Sequence, residues 1–122
     1  MLSAVVGINW GDEGKGRIVD YLAPKYDVVS RYQGGNNAGH TVVNDKGKFI
    51  LNLLPSGILQ DGTANVLGTG MVIDIEHLVN EIGKLREGGI KISPKNLKIS
   101  DRATICMPYH RLQDCLEEDR LS

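Results

Sequence analysis

Gly7-Ile8-Asn9-Trp10-Gly11-Asp12-Glu13-Gly14-Lys15-Gly16-Arg17 is the stretch on which the reading of this chain turns. It follows an apolar run over residues 2–8 that reads as a buried strand, and it precedes Ile18-Val19-Asp20-Tyr21-Leu22, which reads as a helix. A glycine-rich turn between strand and helix aims backbone N–H groups and a helix N-terminus at one spot, and that spot favours phosphate. Lys15 adds a point charge there. Asp12 and Glu13 do not fit a simple phosphate cradle, because a carboxylate beside phosphate is repelled unless it binds a metal or handles a proton. A Walker A loop needs Gly, four residues, then Gly-Lys-Ser/Thr. Here Asn9 stands at the first glycine and Gly16 at the hydroxyl. The turn is therefore not a standard P-loop, and a metal would need another oxygen ligand, for which Asp12 is the nearest candidate. The competing reading is a glycine-rich connection with surface charges.

Working outward, the helix over about residues 16–23 is expected to stop at Pro24, which restricts the residue before it. Asp27-Val28-Val29-Ser30-Arg31-Tyr32 reads as a second strand, so residues 2–32 have the length of one βαβ element. Such elements build parallel sheets. Thr41-Val42-Val43 and Lys48-Phe49-Ile50-Leu51 flank Asn44-Asp45-Lys46-Gly47, which signals a hairpin. Pro55-Ser56-Gly57 is a turn, and residues 65–68 a short buried strand. Asp74 is the expected N-cap of an amphipathic helix with Ile75, Leu78, Val79, Ile82 and Leu85 on one face, stopped by Gly88-Gly89. Residues 96–100 read as another strand and residues 109–121 as a last helix. The order predicts one α/β domain over residues 1–122, with a largely parallel sheet, a P-loop-like strand–turn–helix start and an inserted β-hairpin.

Bulk composition narrows the function classes. The chain has 122 residues, 41% hydrophobic and 24% charged, which suits one globular domain with its own core. A formal net charge of −1 gives no general attraction to nucleic acid or an anionic membrane, so phosphate binding must be local. Cys106 and Cys115 show no metal-ligand spacing and read as two reduced thiols. The N-terminal apolar run is too short for a signal peptide, and no stretch approaches the ~20 apolar residues of a membrane span. The expected location is cytoplasmic.

A second loop, Gln33-Gly34-Gly35-Asn36-Asn37-Ala38-Gly39-His40-Thr41, follows the second strand. Parallel strands send their following loops to one sheet edge, where open α/β sheets bind ligands. His40 is thereby expected to face Asp12 across a shared cleft, suited to charge stabilisation or acid catalysis. His77 and His110 have no such setting and read as structural.

The two loops together resemble the adenylosuccinate synthetase family. Trp10 to Gly16 matches its Trp-Gly-Asp-Glu-Gly-Lys-Gly turn, and Arg31 to Thr41 matches its Arg-Tyr-Gln-Gly-Gly-x-Asn-Ala-Gly-His-Thr segment. The similarity continues through Leu53-Leu54-Pro55-Ser56-Gly57-Ile58-Leu59 and Gly68-Thr69-Gly70 into the helix after Asp74. Asn9 replaces the family's usual Gln, and Arg17 an often-seen Lys. The resemblance is to the N-terminal part of much longer enzymes, so this piece alone is not expected to turn over.

The resemblance implies joining of IMP and L-aspartate with GTP, through a 6-phosphoryl-IMP intermediate, with Mg²⁺. By match to the motifs, Asp12 is the general base and a Mg²⁺ ligand, His40 the acid on the transferring phosphoryl group, and Gly39 a carbonyl ligand to Mg²⁺. Gly11, Asp12, Glu13, Gly14, Lys15, Gly16, Arg17, Gly39, His40 and Thr41 would bind GTP. Asp12, Glu13, Gly14, Lys15, Asn37, Ala38, Gly39 and His40 would face IMP. A homodimer is also implied for the full-length enzyme. The rival readings are a degenerate P-loop GTPase-like switch, a non-catalytic nucleotide-binding or assembly fragment, and a viral relative that aminates another purine nucleotide. The switch lacks an Asn-Lys-x-Asp segment, and Asp12 argues against the viral relative.

Overall fold

The computed structural model describes residues 1–8, 14–37, 39–44 and 47–121. Its elements run α1 (Lys15–Leu22), β1 (Val28–Gly34), β2 (His40–Asn44), β3 (Gly47–Leu51), β4 (Ala64–Asp74), α2 (Ile75–Glu87), β5 (Leu97–Ile99), β6 (Thr104–Cys106) and α3 (Pro108–Leu121). Strand β4 is the spine. Strand β1 pairs with it in parallel from Val28↔Ala64 to Gly34↔Met71. Strands β5 and β6 pair with it, also in parallel, at Asn65–Leu67 and Val72–Asp74 respectively. Strands β2 and β3 form a separate antiparallel hairpin. The architecture is the predicted α/β class, a mostly parallel sheet with an antiparallel hairpin inserted in the β1–β4 crossover.

Leu51, Leu53, Leu54, Ile58 and Leu59 form the layer under the hairpin, and they pack with Leu67, Met71 and Ile73 of β4. Leu78 and Leu85 of α2 close the other side. Fully burying each such side chain contributes about 2 kcal/mol of transfer free energy. In β4 the buried residues Asn65, Leu67, Met71 and Ile73 share one face, as a period of two requires.

Several expectations are corrected. Residues 2–8 form no strand, and Leu2 and Ile8 are 97% and 95% exposed. Apolar composition favours extended backbone, but a strand also needs a ladder partner, and among the described residues this run has none. The βαβ unit in the structure is instead β4–α2–β5. Strand β4 also runs past the predicted stop at residue 68. Gly68 and Gly70 lie so close to the backbone of Tyr32 that a Cβ on either would sit 2.9 Å from Tyr32 Cα or 2.8 Å from its carbonyl oxygen. These glycines accommodate a register shift between β1 and β4 rather than a strand end. Strand β6 was not predicted.

Helix α1 passes into a 3-10 turn, Ala23–Lys25, where Pro24 occupies the first turn and its missing N–H is harmless. Asp74 caps α2 as expected, its Oδ1 accepting from the His77 N–H at 3.0 Å. The buried face of α2 is Leu78, Glu81 and Leu85, while Ile75 and Val79 are 49% and 61% exposed. The helix is rotated to bring a glutamate, not two β-branched residues, inside. Helix α3 buries none of its residues, and Arg111 attaches it to Asp74 through an ion pair.

Candidate functional site

The parallel pairing of β1 with β4, rather than with a strand over residues 2–8, sends residues 35–37 to the carboxyl end of the sheet. Gly35 lies there against Val72, and Asn36 Nδ2 reaches Asp74 Oδ2 at 3.4 Å. Arg31 Nη2 donates to the Gly35 carbonyl at 3.0 Å. Asn52 Nδ2 donates to the Asn36 carbonyl at 3.4 Å, and its side chain fills the space beside Gly39. The loop is thus tied to β1, to the end of β4 and to the segment after β3. His40 opens β2 at its end.

The N-terminus of α1 arrives at the same place. Gly14, with φ of 79°, is the N-cap, and its left-handed backbone turns the chain into the helix. Gly16 lies flat against His40, and a Cβ there would fall 2.4 Å from His40 Cδ2. Ser56 joins the two. Its hydroxyl lies 2.9 Å from His40 Nε2 and donates to the Gly16 carbonyl at 3.2 Å. The exit of the glycine turn and the second loop therefore meet at His40.

Of the predicted site residues, Gly14, Lys15, Gly16, Asn37, Gly39, His40 and Thr41 lie on these two converging segments, with Arg17 on the first turn of α1. Lys15, Gly16 and His40 are half-buried, while Gly14, Arg17, Asn37, Gly39 and Thr41 are exposed. Gly11, Asp12, Glu13 and Ala38 lie outside the described residues. His110 has a local role, its Nδ1 accepting from the Met107 N–H at 2.9 Å at the start of α3. His77 Nε2 lies 3.9 Å from Glu81 Oε2 on the same helix.

Behind the site sits Glu81. Its Oε1 accepts from the N–H groups of Asn52 at 2.9 Å and Leu54 at 3.2 Å, and its Oε2 from that of Leu53 at 2.9 Å. A carboxylate 5% exposed thus satisfies three successive backbone donors of the segment that leads to Ser56. Sequence reasoning missed Ser56, Asn52 and Glu81. The available signal was Glu81 itself, a charged residue between Leu78 and Leu85 on an apolar helix face.

Electrostatically, burial pushes the His40 pKa below its ordinary value, and the Arg31 charge lowers it further, against opposing effects from Glu81 and Asp20. Burial likewise lowers Arg31, with Glu81 opposing. Arg31 Nη1 and Asp20 Oδ1 are buried without a hydrogen-bond partner among the described residues.

No cluster of three or more His, Cys, Asp or Glu among the described residues has metal-holding geometry. A hard cation here would depend on a carboxylate outside them, on backbone carbonyls and on ligand phosphates. That all-oxygen donor set fits Mg²⁺, which is bound by one or two carboxylates plus phosphates. No helix of the described residues is long and apolar enough to cross a membrane. Cys106 and Cys115 are free thiols.

Residues 4–122 match the family profile for adenylosuccinate synthetase. The chain is 55% identical over 114 residues to adenylosuccinate synthetase of Clostridium novyi, covering 93% of this chain and 27% of that protein. It thus spans about a quarter of the length of this relative. Among solved structures, a fully ligated adenylosuccinate synthetase from Plasmodium falciparum superposes with a TM-score of 0.79 at 39% identity. That match covers 93% of this chain and 26% of the other. A succinoaminodeoxyadenylate synthetase of cyanophage S-2L, bound to dGMP and to dATP as an energy donor, gives a TM-score of 0.69 at 28% identity. It covers 88% of this chain and 30% of the other.

Proposed function

The chain belongs to the adenylosuccinate synthetase family, and from that premise we propose that it carries the phosphoryl-transfer part of a GTP-dependent ligase that joins IMP and L-aspartate. The observation that carries the proposal is the meeting of the α1 N-terminus with the second loop at His40, through Ser56. Phosphoryl transfer depends mainly on positioning and on neutralising oxygens. A helix N-terminus opened by Gly14, Lys15 beside it and a histidine against Gly16 supply donors for that purpose.

The 6-oxo group of IMP is a poor leaving group until phosphorylated. Asp12 takes the proton from the neighbouring ring N–H, which makes the 6-oxygen nucleophilic toward the γ-phosphorus of GTP. GDP leaves, and aspartate nitrogen then displaces phosphate from the 6-position. Residues 11–17, with Gly39, His40 and Thr41, hold GTP, and residues 12–15 with 37–40 face IMP. Asp12 and the Gly39 carbonyl would hold Mg²⁺, which supplies charge neutralisation on the phosphates when bound. A phosphate placed against His40 favours its charged form, so protonation of His40 accompanies nucleotide binding. The full-length protein is read as a cytoplasmic homodimer.

The test is adenylosuccinate absorbance from IMP, GTP, aspartate and Mg²⁺, using full-length protein that contains residues 1–122. Product is expected from wild type and none above background from Asp12→Ala. Full activity of that variant, or dGMP as a better acceptor than IMP, overturns the assignment. For the 122-residue chain itself, calorimetric titration with GTP and Mg²⁺ is expected to show weak binding.

A further inference from the structure

Ser56 opens the 3-10 turn Ser56–Leu59, whose N-cap is Pro55. It is 2% exposed, yet its oxygen has two polar neighbours, the Gly16 carbonyl at 3.2 Å and His40 Nε2 at 2.9 Å. A hydroxyl owns one hydrogen. The hydroxyl hydrogen lies toward the Gly16 carbonyl, which can only accept, and an oxygen lone pair then faces the imidazole. Nε2 must then bring its own proton. Were Nε2 bare, the hydroxyl would have to turn toward it, leaving two oxygens 3.2 Å apart with no hydrogen between them.

We propose that Ser56 is the positioning residue of His40, fixing the neutral ring as the Nε2–H tautomer and leaving Nδ1 as the nitrogen that meets an anion. The functional half of this inference rests on the reading of His40 as a phosphoryl contact; the tautomer half does not. Ser56 can do this because the chain just before it is immobilised. Glu81 grips the N–H groups of Asn52, Leu53 and Leu54, and Pro55 follows directly. With Nε2 engaged by Ser56, Nδ1 is the ring nitrogen left to meet an anion. The ring then has one anchored nitrogen and one working nitrogen.

The test uses the 122-residue chain with ¹⁵N-labelled histidine, at a pH where His40 is neutral. Long-range ¹H–¹⁵N spectra are expected to show His40 protonated at Nε2, with that hydrogen protected from exchange with water. Ser56→Ala should lose the protection, and Ser56→Thr should keep it. A neutral ring protonated at Nδ1 in wild type, or undiminished protection in Ser56→Ala, overturns the proposal. If Ser56→Ala does not fold, the wild-type spectrum alone decides. A second arm measures turnover in full-length protein. There Ser56→Ala should lower kcat about tenfold while leaving KM for GTP within about twofold, an effect of roughly 1.4 kcal/mol. Unchanged kcat overturns the functional half. A wild type that makes no adenylosuccinate removes the ligase reading and leaves the tautomer result standing.

Discussion

Replacing Glu81 isolates the support beneath the site. In Glu81→Gln the amide oxygen can keep the position of Oε1 and its bonds to the Asn52 and Leu54 N–H groups. The new NH₂ then points at the Leu53 N–H, donor against donor. Hydrogen bonds to a charged group contribute about 1.5–3 kcal/mol, neutral ones about 0.5–1.5, and a buried unsatisfied donor costs ~1–3. Two weakened bonds and one lost bond, offset by the easier burial of a neutral amide, come to about 2–3 kcal/mol. Glu81→Ala loses all three bonds and should cost at least ~4 kcal/mol, a large share of the 5–15 typical of a domain. Urea denaturation followed by circular dichroism measures both, with the exposed Glu87→Gln on the same helix as control, expected within ~0.5 kcal/mol of wild type. If Glu81→Gln behaves like Glu87→Gln, the three-donor anchor is not what holds this segment. The amide resonances of Asn52, Leu53 and Leu54 should move most in Glu81→Gln.

Other perturbations test other joints. Gly16→Ala should gain up to about 1 kcal/mol of helix propensity yet lose ~1–3 through overlap with the His40 ring, a net drop in melting temperature. A rise would mean that the ring does not lie against α1. The lowered pKa of His40 sets a pH dependence. Below the unfolded value of about 6.5 the unfolded chain takes a proton that the folded chain refuses, so stability falls as pH falls from there through the folded pKa. Urea midpoints against pH should show that slope in wild type and a shallower one in His40→Gln. Asp74→Asn should retain the α2 cap within a few tenths of a kcal/mol while releasing Arg111, so trypsin should cut α3 faster at an unchanged urea midpoint. Asp74→Ala should lose ~1 kcal/mol as well.

The parts of the fold that were legible in the sequence are those written in local chemistry. Turn residues between β-rich arms gave away the hairpin, and a carboxylate three residues ahead of an unpaired N–H gave away the start of α2. The sheet edge for the second loop was inferred from a strand over residues 2–8 that does not form, and β4 supplies the parallel partner in its place. What escaped depends on partners distant in the chain. Residues 2–8 are apolar, but no composition rule says whether a ladder partner is in place. Gly68 and Gly70 read as a strand end because the close approach of Tyr32 is a tertiary fact. Glu81 was hidden by periodicity, since an apolar stripe can be drawn through Ile75 and Val79 as easily as beside them. Within the site, both loops were evident from their residues, while the hydroxyl of Ser56 between them was not, because nothing local requires it.

The hairpin inserted between β1 and β4 has a consequence for the order of assembly. Strands β2 and β3 are neighbours in the chain and can zip on the scale of microseconds, whereas β1 must find β4 across the whole insertion. Taking the hairpin out of that loop shortens it by about a third, which by the logarithmic closure law saves only ~0.4 kcal/mol. Early hairpin formation therefore does little to hasten the sheet. It delivers His40 as a finished strand end before β1 closes on β4 and α1 docks against β2.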